Sequence, residues 1–449
     1  MTEPQAGPFA SGNRGCSPPH AGPPAPSPTD SAPSSLPDHW DVLVIGAGPA
    51  GALTALLLAR QRRSVLLVDR RAFPRAKVCG GCLNNRALGI LDQADLLPAV
   101  ARAGGEWIDR FVVHAQGSQL AVPLAGGWAI SRWAFDPVLI EQARQAGVHF
   151  VAPTTARVLS DAPGAPHRRV ELIGPAGSAQ VVAARVVVAA DGLGHPSLSH
   201  LAEFTDQVAP ASRVGLAPRD PCSLGAAGPP PGTIAMAVGR GGYVGLTRDE
   251  TGEVHLAAAV DPQTLRAAGD PARCVTRILQ EAGIRLPQAE SSTGGLASGW
   301  RGTGPLTHRL NRAASHRLFV VGDALRYVEP FTGEGMAWAL TNAWHVAPLV
   351  AAGVEQWSGD LATRWDSGAF SPPAHGCRWL ASAARWPRTV RWAVAGLAQV
   401  PTLPRLAARA LDPPSSAAPR WREILISGAS GAAPPPGRVT TDLVREEAA

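Results

Sequence analysis

Three apolar runs of the kind that fill a buried strand punctuate this chain, and each ends at a glycine. Asp41-Val-Leu-Val-Ile45 leads into Gly46, Arg185-Val-Val-Val-Ala-Ala190 into Asp191-Gly192, and Leu318-Phe-Val-Val321 into Gly322-Asp323. Short continuous apolar runs bounded by turn residues read as strands of a sheet covered on both faces. Helical periodicity over 49–62 and an apolar run over 64–69 predict a strand–helix–strand start. Helices are predicted over 84–103 and 135–146, alternating strands over 107–114 and 119–123, and a short run over 128–131. Strands recur over 148–152, 156–161, 169–173 and 181–190. The stretch 201–290 carries short strands at 233–238, 242–247 and 254–260, then helices over 262–268 and 271–282. A strand over 317–321 and a helix over 336–350 follow.

This order predicts a nucleotide-binding domain interrupted by an inserted one. Residues 39–106, 124–200 and 290–368 are assigned to the first, and 107–123 with 201–289 to a substrate domain. Residues 1–38 are rich in Pro, Ser, Ala and Gly without apolar periodicity and read as a disordered tail. Residues 369–428 form a basic helical region, and 429–449 a second tail.

The first glycine cluster carries the most chemistry. In Gly46-Ala-Gly48-Pro49-Ala50-Gly51, a tight turn after a strand needs Gly46, and close approach of a pyrophosphate needs Gly48. Gly51 lets the helix pack on the sheet, and the helix start directs free N–H groups at phosphates. Asp69 closes the next strand, where a carboxylate accepts hydrogen bonds from a ribose diol. NAD would satisfy this much; the later motifs favour FAD. Gly322-Asp323 ends a third strand at the carboxyl edge of the sheet, where an Asp can hold a second sugar-like chain such as a ribityl. Thr332-Gly333-Glu334-Gly335 opens the last helix, whose N–H groups can stabilise negative charge on a reduced ring. The expected fold class is α/β: a Rossmann-like FAD/NAD(P)-binding domain of three ββα layers, an inserted mixed-sheet substrate domain and a C-terminal helical region.

Composition narrows the partners. The net charge is +6 over 449 residues, and Lys77 is the only lysine among 41 Lys and Arg. This bias reads as genomic. No basic patch with interleaved aromatics lies on a recognisable binding motif, so no nucleic acid is expected. The six cysteines show no disulfide framework, and a reduced, cytoplasmic chain is expected. Cys79-Gly-Gly-Cys82 invites a zinc or dithiol reading, but no second Cys pair completes a zinc site and no metal is expected. Residues 374–411 interleave Arg378, Arg385, Arg388, Arg391, Arg405 and Arg409 with Trp379, Trp386 and Trp392, with no acid before Asp412. Two readings stand: a basic cap over the core, or a peripheral membrane surface admitting a lipid-like substrate.

These motifs, with Lys77-Val-Cys-Gly-Gly-Cys-Leu83 and Ser131-Arg-Trp-Ala-Phe-Asp136, resemble the FAD-dependent oxidoreductase superfamily that includes aromatic-ring monooxygenases and geranylgeranyl reductases. The resemblance runs in motif order over roughly 39–368. It implies that the Gly46 motif, Asp69 and Arg70 hold the ADP half, and that Arg132 reaches the flavin phosphates. Asp191-Gly192 and Gly322-Asp323 would assist the pyrophosphate and ribityl. Pro330 and Gly333–Met336 would border the ring, Cys79 and Gly80 would cover one face, and Tyr243 would line the substrate side. The implied activity is foremost an NAD(P)H- and O₂-using hydroxylation of an apolar or aromatic small molecule, with NAD(P)H a transient reductant. Saturation of a prenyl double bond is the alternative, favoured by Lys77–Leu83. Tyr243-Val-Gly-Leu departs from the Trp- and Pro-containing stretch expected of prenyl reductases. A third reading, of another class, is a non-catalytic binder of prenylated partners. No catalytic acid or base is assigned.

Overall fold

The structure, a computed structural model, describes residues 36–162, 164–219, 228–286, 299–329, 331–367, 382–399, 404, 415 and 417–429. Most of the two expected tails, Pro330 and much of 374–411 lie outside the described residues.

The three glycine-ended runs lie side by side. His39–Ile45 pairs in parallel with Val65–Val68 on one side and Ala179–Ala189 on the other, and Leu318–Val320 extends the sheet in parallel. Alternation explains the continuous apolar runs. Val42 and Val44 face one core with the Pro49–Arg60 and Gly335–Glu355 helices, while Leu43 and Ile45 face another formed with Val170, Leu172 and Leu318. The second layer comes from Thr155–Val158 and Arg168–Ile173, which pair antiparallel and join Ala179–Ala189. The result is the expected α/β architecture of three layers.

A second sheet of eight strands stands beside the first. Its order is Trp300–Pro305, Val214–Pro218, Val254–Val260, Gly242–Arg248, Thr233–Gly239, Glu106–Ala115, Ser118–Ala129 and Cys82–Asn84. The Gly-rich stretch 239–245 lies in a hairpin here, with Gly239 opposite Gly242, and opens no helix. A three-stranded sheet of Asp206–Val208, His308–Leu310 and Arg326–Tyr327 closes the region behind Asp323.

Several expectations shift at their edges. The helix expected over 84–103 is two, Asn85–Gln93 and Leu97–Arg102, because Asp95 adopts φ 55° between them. The helix expected from 135 begins at Arg132, capped by Ser131, whose Oγ accepts the Ala134 N–H at 3.1 Å. The boundary expected at 123/124 falls inside one strand: Ser118–Ala129 continues through Gly126 and Gly127, which end the alternation but not the pairing. Cys82–Asn84 joins this second sheet as well, so the Lys77–Cys82 loop bridges the two sheets.

Candidate functional site

The turn after His39–Ile45 is built by backbone crowding. Gly46 sits at φ 101°, and a Cβ there would meet the Ala190 carbonyl oxygen at 2.4 Å. A Cβ on Gly51 would lie 1.8 Å from the Gly46 oxygen. Gly48 differs. A Cβ there would point at open groove, with Arg132 Nη2 at 3.4 Å and Arg75 Nη2 at 4.0 Å. The following helix has neither a side-chain N-cap nor an acid in its first turn. Its amide end is therefore left for an external anion, flanked by two guanidinium groups.

Arg132 is held there by its neighbours. Its Nε and Nη2 bond Asp136 at 2.5 and 2.7 Å, and both residues are buried. Burial weakens the Arg132 cation, and Asp136 more than restores it. Glu250 of the second sheet fixes the start of the same helix, accepting from the Ser131 N–H at 2.8 Å and its hydroxyl at 2.5 Å. Asp69 is also buried; it accepts the Ala47 N–H at 2.9 Å and the Arg71 N–H at 2.9 Å. Arg70 is exposed and lines neither cavity described below, although the resemblance assigned it to the nucleotide. Its neighbour Arg75, which the sequence reading passed over, takes the position facing Gly48.

Two neighbouring cavities that share lining residues lie between this turn and the second sheet. The first, of about 480 Å³, is bordered by Gly48, Pro49, Ala50, Arg132, Gly192 and Met336, among others. The second, of about 910 Å³, is walled by Phe111, Ile234, Met236, Leu246, Ala257 and Ala259, with Tyr243, Gly80 and Gly333 also on its lining. Lys77, Val78, Cys79, Asp323, Tyr327, Gly335 and Met336 border both. Gly333 has φ 75°, and Gly335 begins the long helix, with Glu334 as its N-cap residue.

The shared border is where the polar groups gather. Lys77 Nζ donates to Asp323 Oδ2 at 3.0 Å. His308 stands behind, with Nε2 2.9 Å from the Asp323 carbonyl oxygen and Nδ1 2.8 Å from Asp206 Oδ1. Burial pushes the Tyr327 phenol well above its ordinary range, so it keeps its proton. The Cys79 carbonyl is held by His255 Nε2 at 2.8 Å, and the Cys82 thiol donates to the Gly80 carbonyl at 3.1 Å. Burial pushes the Cys82 thiol up to about 12, so it is protonated at neutral pH. Lys77 and Tyr327 are the groups that the sequence reading missed. Lys77 carried a signal, since the chain otherwise uses Arg at every basic Lys or Arg position. Tyr327 sits in a two-residue strand and carried none.

Tyr243 is buried, edge-on to Phe331 at 5.0 Å, with the Arg213 guanidinium 5.3 Å from its ring. Arg213 is itself fully buried and bonds Glu329 at 2.6 Å and Asp261 at 3.1 Å. This pair ties the strand Val214–Pro218 to the Glu329–Gly335 motif.

The residues fit FAD on two observations. The groove in front of Gly48 presents helix amides and guanidinium groups to an anion, and Asp191 keeps a buried Oδ1 without a partner beside Gly192. Its Oδ2 accepts the Ser197 N–H at 2.8 Å, and burial raises this carboxyl. Gly48, Pro49, Ala50, Arg132, Gly192, Asp323, Gly335 and Met336 converge on one groove, whereas Gly46, Gly51, Asp69 and Gly322 shape it from behind. Among the described residues no cluster of three His, Cys, Asp or Glu side chains could hold a metal, and no helix is long and apolar enough to cross a membrane.

Comparison with known proteins gives the same picture. The family described as "FAD binding domain" matches residues 39–361. A menaquinone reductase of Mycobacterium tuberculosis is 33% identical over 129 residues, 26% of this chain and only 30% of the relative's length. Digeranylgeranylglycerophospholipid reductase 2 of Methanopyrus kandleri is 25% identical over 332 residues, 71% of this chain and 78% of that protein. Among solved structures, a triple mutant of the flavin-dependent brominase Bmp2 superimposes with a TM-score of 0.69 at 17% identity, covering 86% of this chain and 98% of its own. The probable FAD-dependent monooxygenase pqsL of Pseudomonas aeruginosa gives 0.63 at 20% identity, covering 80% and 100%. At such identities the two structures report on the fold.

Proposed function

The chain belongs to the FAD binding domain family and is an FAD-dependent oxidoreductase, and from that premise we propose that it saturates a carbon–carbon double bond in an apolar, chain-like substrate. The observation that carries this is the apolar lining of the chamber beside the cofactor groove. Its sheet wall is aliphatic and aromatic, while its charged pair, Lys77 and Asp323, stands at the junction with the cofactor groove. Such a wall binds by burying apolar area, roughly 25 cal/mol per Å², and gives a polar substrate little to hydrogen-bond.

The Gly48 turn, Arg132, Asp191 and Asp323 would hold FAD, which would supply a hydride-donating ring, with NAD(P)H proposed as its reductant. The protein supplies the rest. Met236, Leu246 and Ala257 exclude water from the substrate. The Lys77 ammonium, oriented by Asp323, holds a proton at the chamber entrance, and the protonated Tyr327 phenol borders the same point. A hydride from such a ring and a proton held at this point would together supply the two hydrogens that saturate a double bond. The likeness over 71% of the chain to a phospholipid reductase supports this order of preference, which reverses the one that the sequence motifs suggested.

A second reading, hydroxylation of an aromatic molecule, draws on one feature. Tyr243, Phe331 and Phe111 form an edge-on aromatic cluster in the chamber wall, with Phe331 5.0 and 6.3 Å from the other two rings. The test is anaerobic incubation of the reduced, FAD-loaded protein with menaquinone and geranylgeranyl lipids, then aerobic incubation with NADPH and aromatic substrates. Product gaining two hydrogens without oxygen supports reduction. Product gaining one oxygen, only in air, supports hydroxylation and overturns reduction.

A further inference from the structure

We propose that the C-terminal helix Pro387–Ala398, together with Trp386, docks the protein on an anionic membrane surface. The helix packs against strands Glu106–Ala115, Ser118–Ala129 and Thr233–Gly239 of the chamber sheet. Val394 is buried, and Val390 rests on the cluster that contains Met236, Tyr243 and Phe331. Ala384 is buried in that cluster, and Arg385 bonds Asp261 Oδ1 at 3.1 Å, the carboxylate that also holds Arg213. The inner side of the segment is therefore fixed, and so is what it turns outward.

At roughly 100° per residue, Arg388 and Trp392 fall opposite Val390, Val394 and Leu397. Trp386 and Trp392 are 69% and 71% exposed, the most exposed large apolar side chains among the described residues. Arg391 stacks near Trp392 at 5.5 Å, and the sequence 367–411 contains no Asp or Glu. Indole rings favour headgroup depth, and guanidinium groups pair with phosphate oxygens. The acid-free arginine face repels a second copy of itself, and its charge is complementary to a leaflet rich in anionic lipid. Because the inner side of the helix rests on the cluster of Met236, Tyr243 and Phe331, one helix layer separates the docked face from the apolar cavity. The inference extends the proposed reaction in one respect: it names the lipid phase as the source of the substrate.

Flotation of the full-length, FAD-loaded protein tests this, using vesicles of phosphatidylcholine alone and mixed with phosphatidylglycerol. The protein is expected to float with the mixed vesicles and to remain in solution with phosphatidylcholine alone. Replacing both Arg388→Gln and Arg391→Gln is expected to weaken vesicle binding about 30-fold. Trp386→Ser with Trp392→Ser is expected to abolish flotation while bound flavin and melting temperature stay at wild-type values, since these side chains are exposed. No flotation of the wild type, or flotation indifferent to both pairs of substitutions, overturns the proposal. So does dimerisation, or capture of an acidic protein, that depends on these four residues while vesicles are ignored. Flotation requires no turnover, so its failure is distinguishable from failure of the proposed reaction.

Discussion

The cofactor groove and the chamber beside it are built on opposite principles. At the cofactor end the shape is set by main chain: Gly46 and Gly51 stand where any Cβ would strike a carbonyl oxygen, at 2.4 and 1.8 Å. At the chamber end it is set by side-chain volume, with Met236, Phe331 and Tyr243 packed around the void. A backbone-built site tolerates almost no change and binds one ligand. A site built by side chains can be resized without disturbing the sheet that carries it.

The sharpest way to break this contrast is at Gly51. Gly51→Ala forces two main-chain segments apart and is expected to cost about 3 kcal/mol or more. Urea unfolding and flavin content of the purified protein measure it; wild-type values for both would refute the crowding argument. Asp323→Ala removes a polar anchor and the partner of Lys77, so FAD is expected to bind about 10- to 100-fold more weakly in fluorescence titration. Full retention of flavin would count against the assigned groove. At the other end, Met236→Ala is expected to leave FAD affinity unchanged while shifting kcat/KM about tenfold for the preferred apolar substrate. An equal loss of both would erase the distinction between the two ends.

Smaller effects sharpen it further. Burial raises the Asp191 carboxyl above its unfolded value, so this group's favourable contribution is present at low pH and is lost as pH rises. Asp191→Asn is therefore expected to raise the melting temperature of the cofactor-free protein at pH 8, with the gain vanishing as pH falls through the carboxylate range. A gain that is constant with pH would remove burial of charge as its cause. Cys79→Ser with Cys82→Ser is expected to leave turnover nearly unchanged, because both sulfurs bond the backbone of their own loop, contacts that a serine hydroxyl can keep. A loss of activity rescued by neither single variant would revive a dithiol role.

The same contrast explains what could be read from the sequence. Gly46 and Gly51 were legible because main-chain crowding admits no side chain at those places, whereas Gly48, Asp191-Gly192 and Gly322-Asp323 were legible from their position just after an apolar strand. The helices Pro262–Ala268 and Pro271–Ala282 were legible to the residue, since an Asp-Pro step starts each and Gly269 and Gly283 end them in left-handed conformations. The break at Asp95 was hidden, because a non-glycine residue takes the positive φ. The chamber was hidden as well: its wall is assembled across strands from Phe111, Met236, Leu246 and Ala257, whose neighbourhood no local spacing encodes. Arg70 and Arg75 look alike in the sequence, and only packing sets the Arg75 Nη2 3.6 Å from Asp69 and 4.0 Å from the place of a Gly48 Cβ.

The register across the chamber sheet has a consequence for descent. Gly245 lies opposite Met236 on one side and Ala257 on the other, and Tyr243 lies opposite Ala259. Gly245, whose Cβ position would touch the Met236 side chain at 3.4 Å, thus leaves a thin place in the wall, beside the alanines of the neighbouring strand. Adding a methyl or a ring at Gly245, Ala257 or Ala259 would narrow the chamber, one substitution at a time. Lineages sharing this frame could diverge in cargo while every glycine around the nucleotide stayed in place.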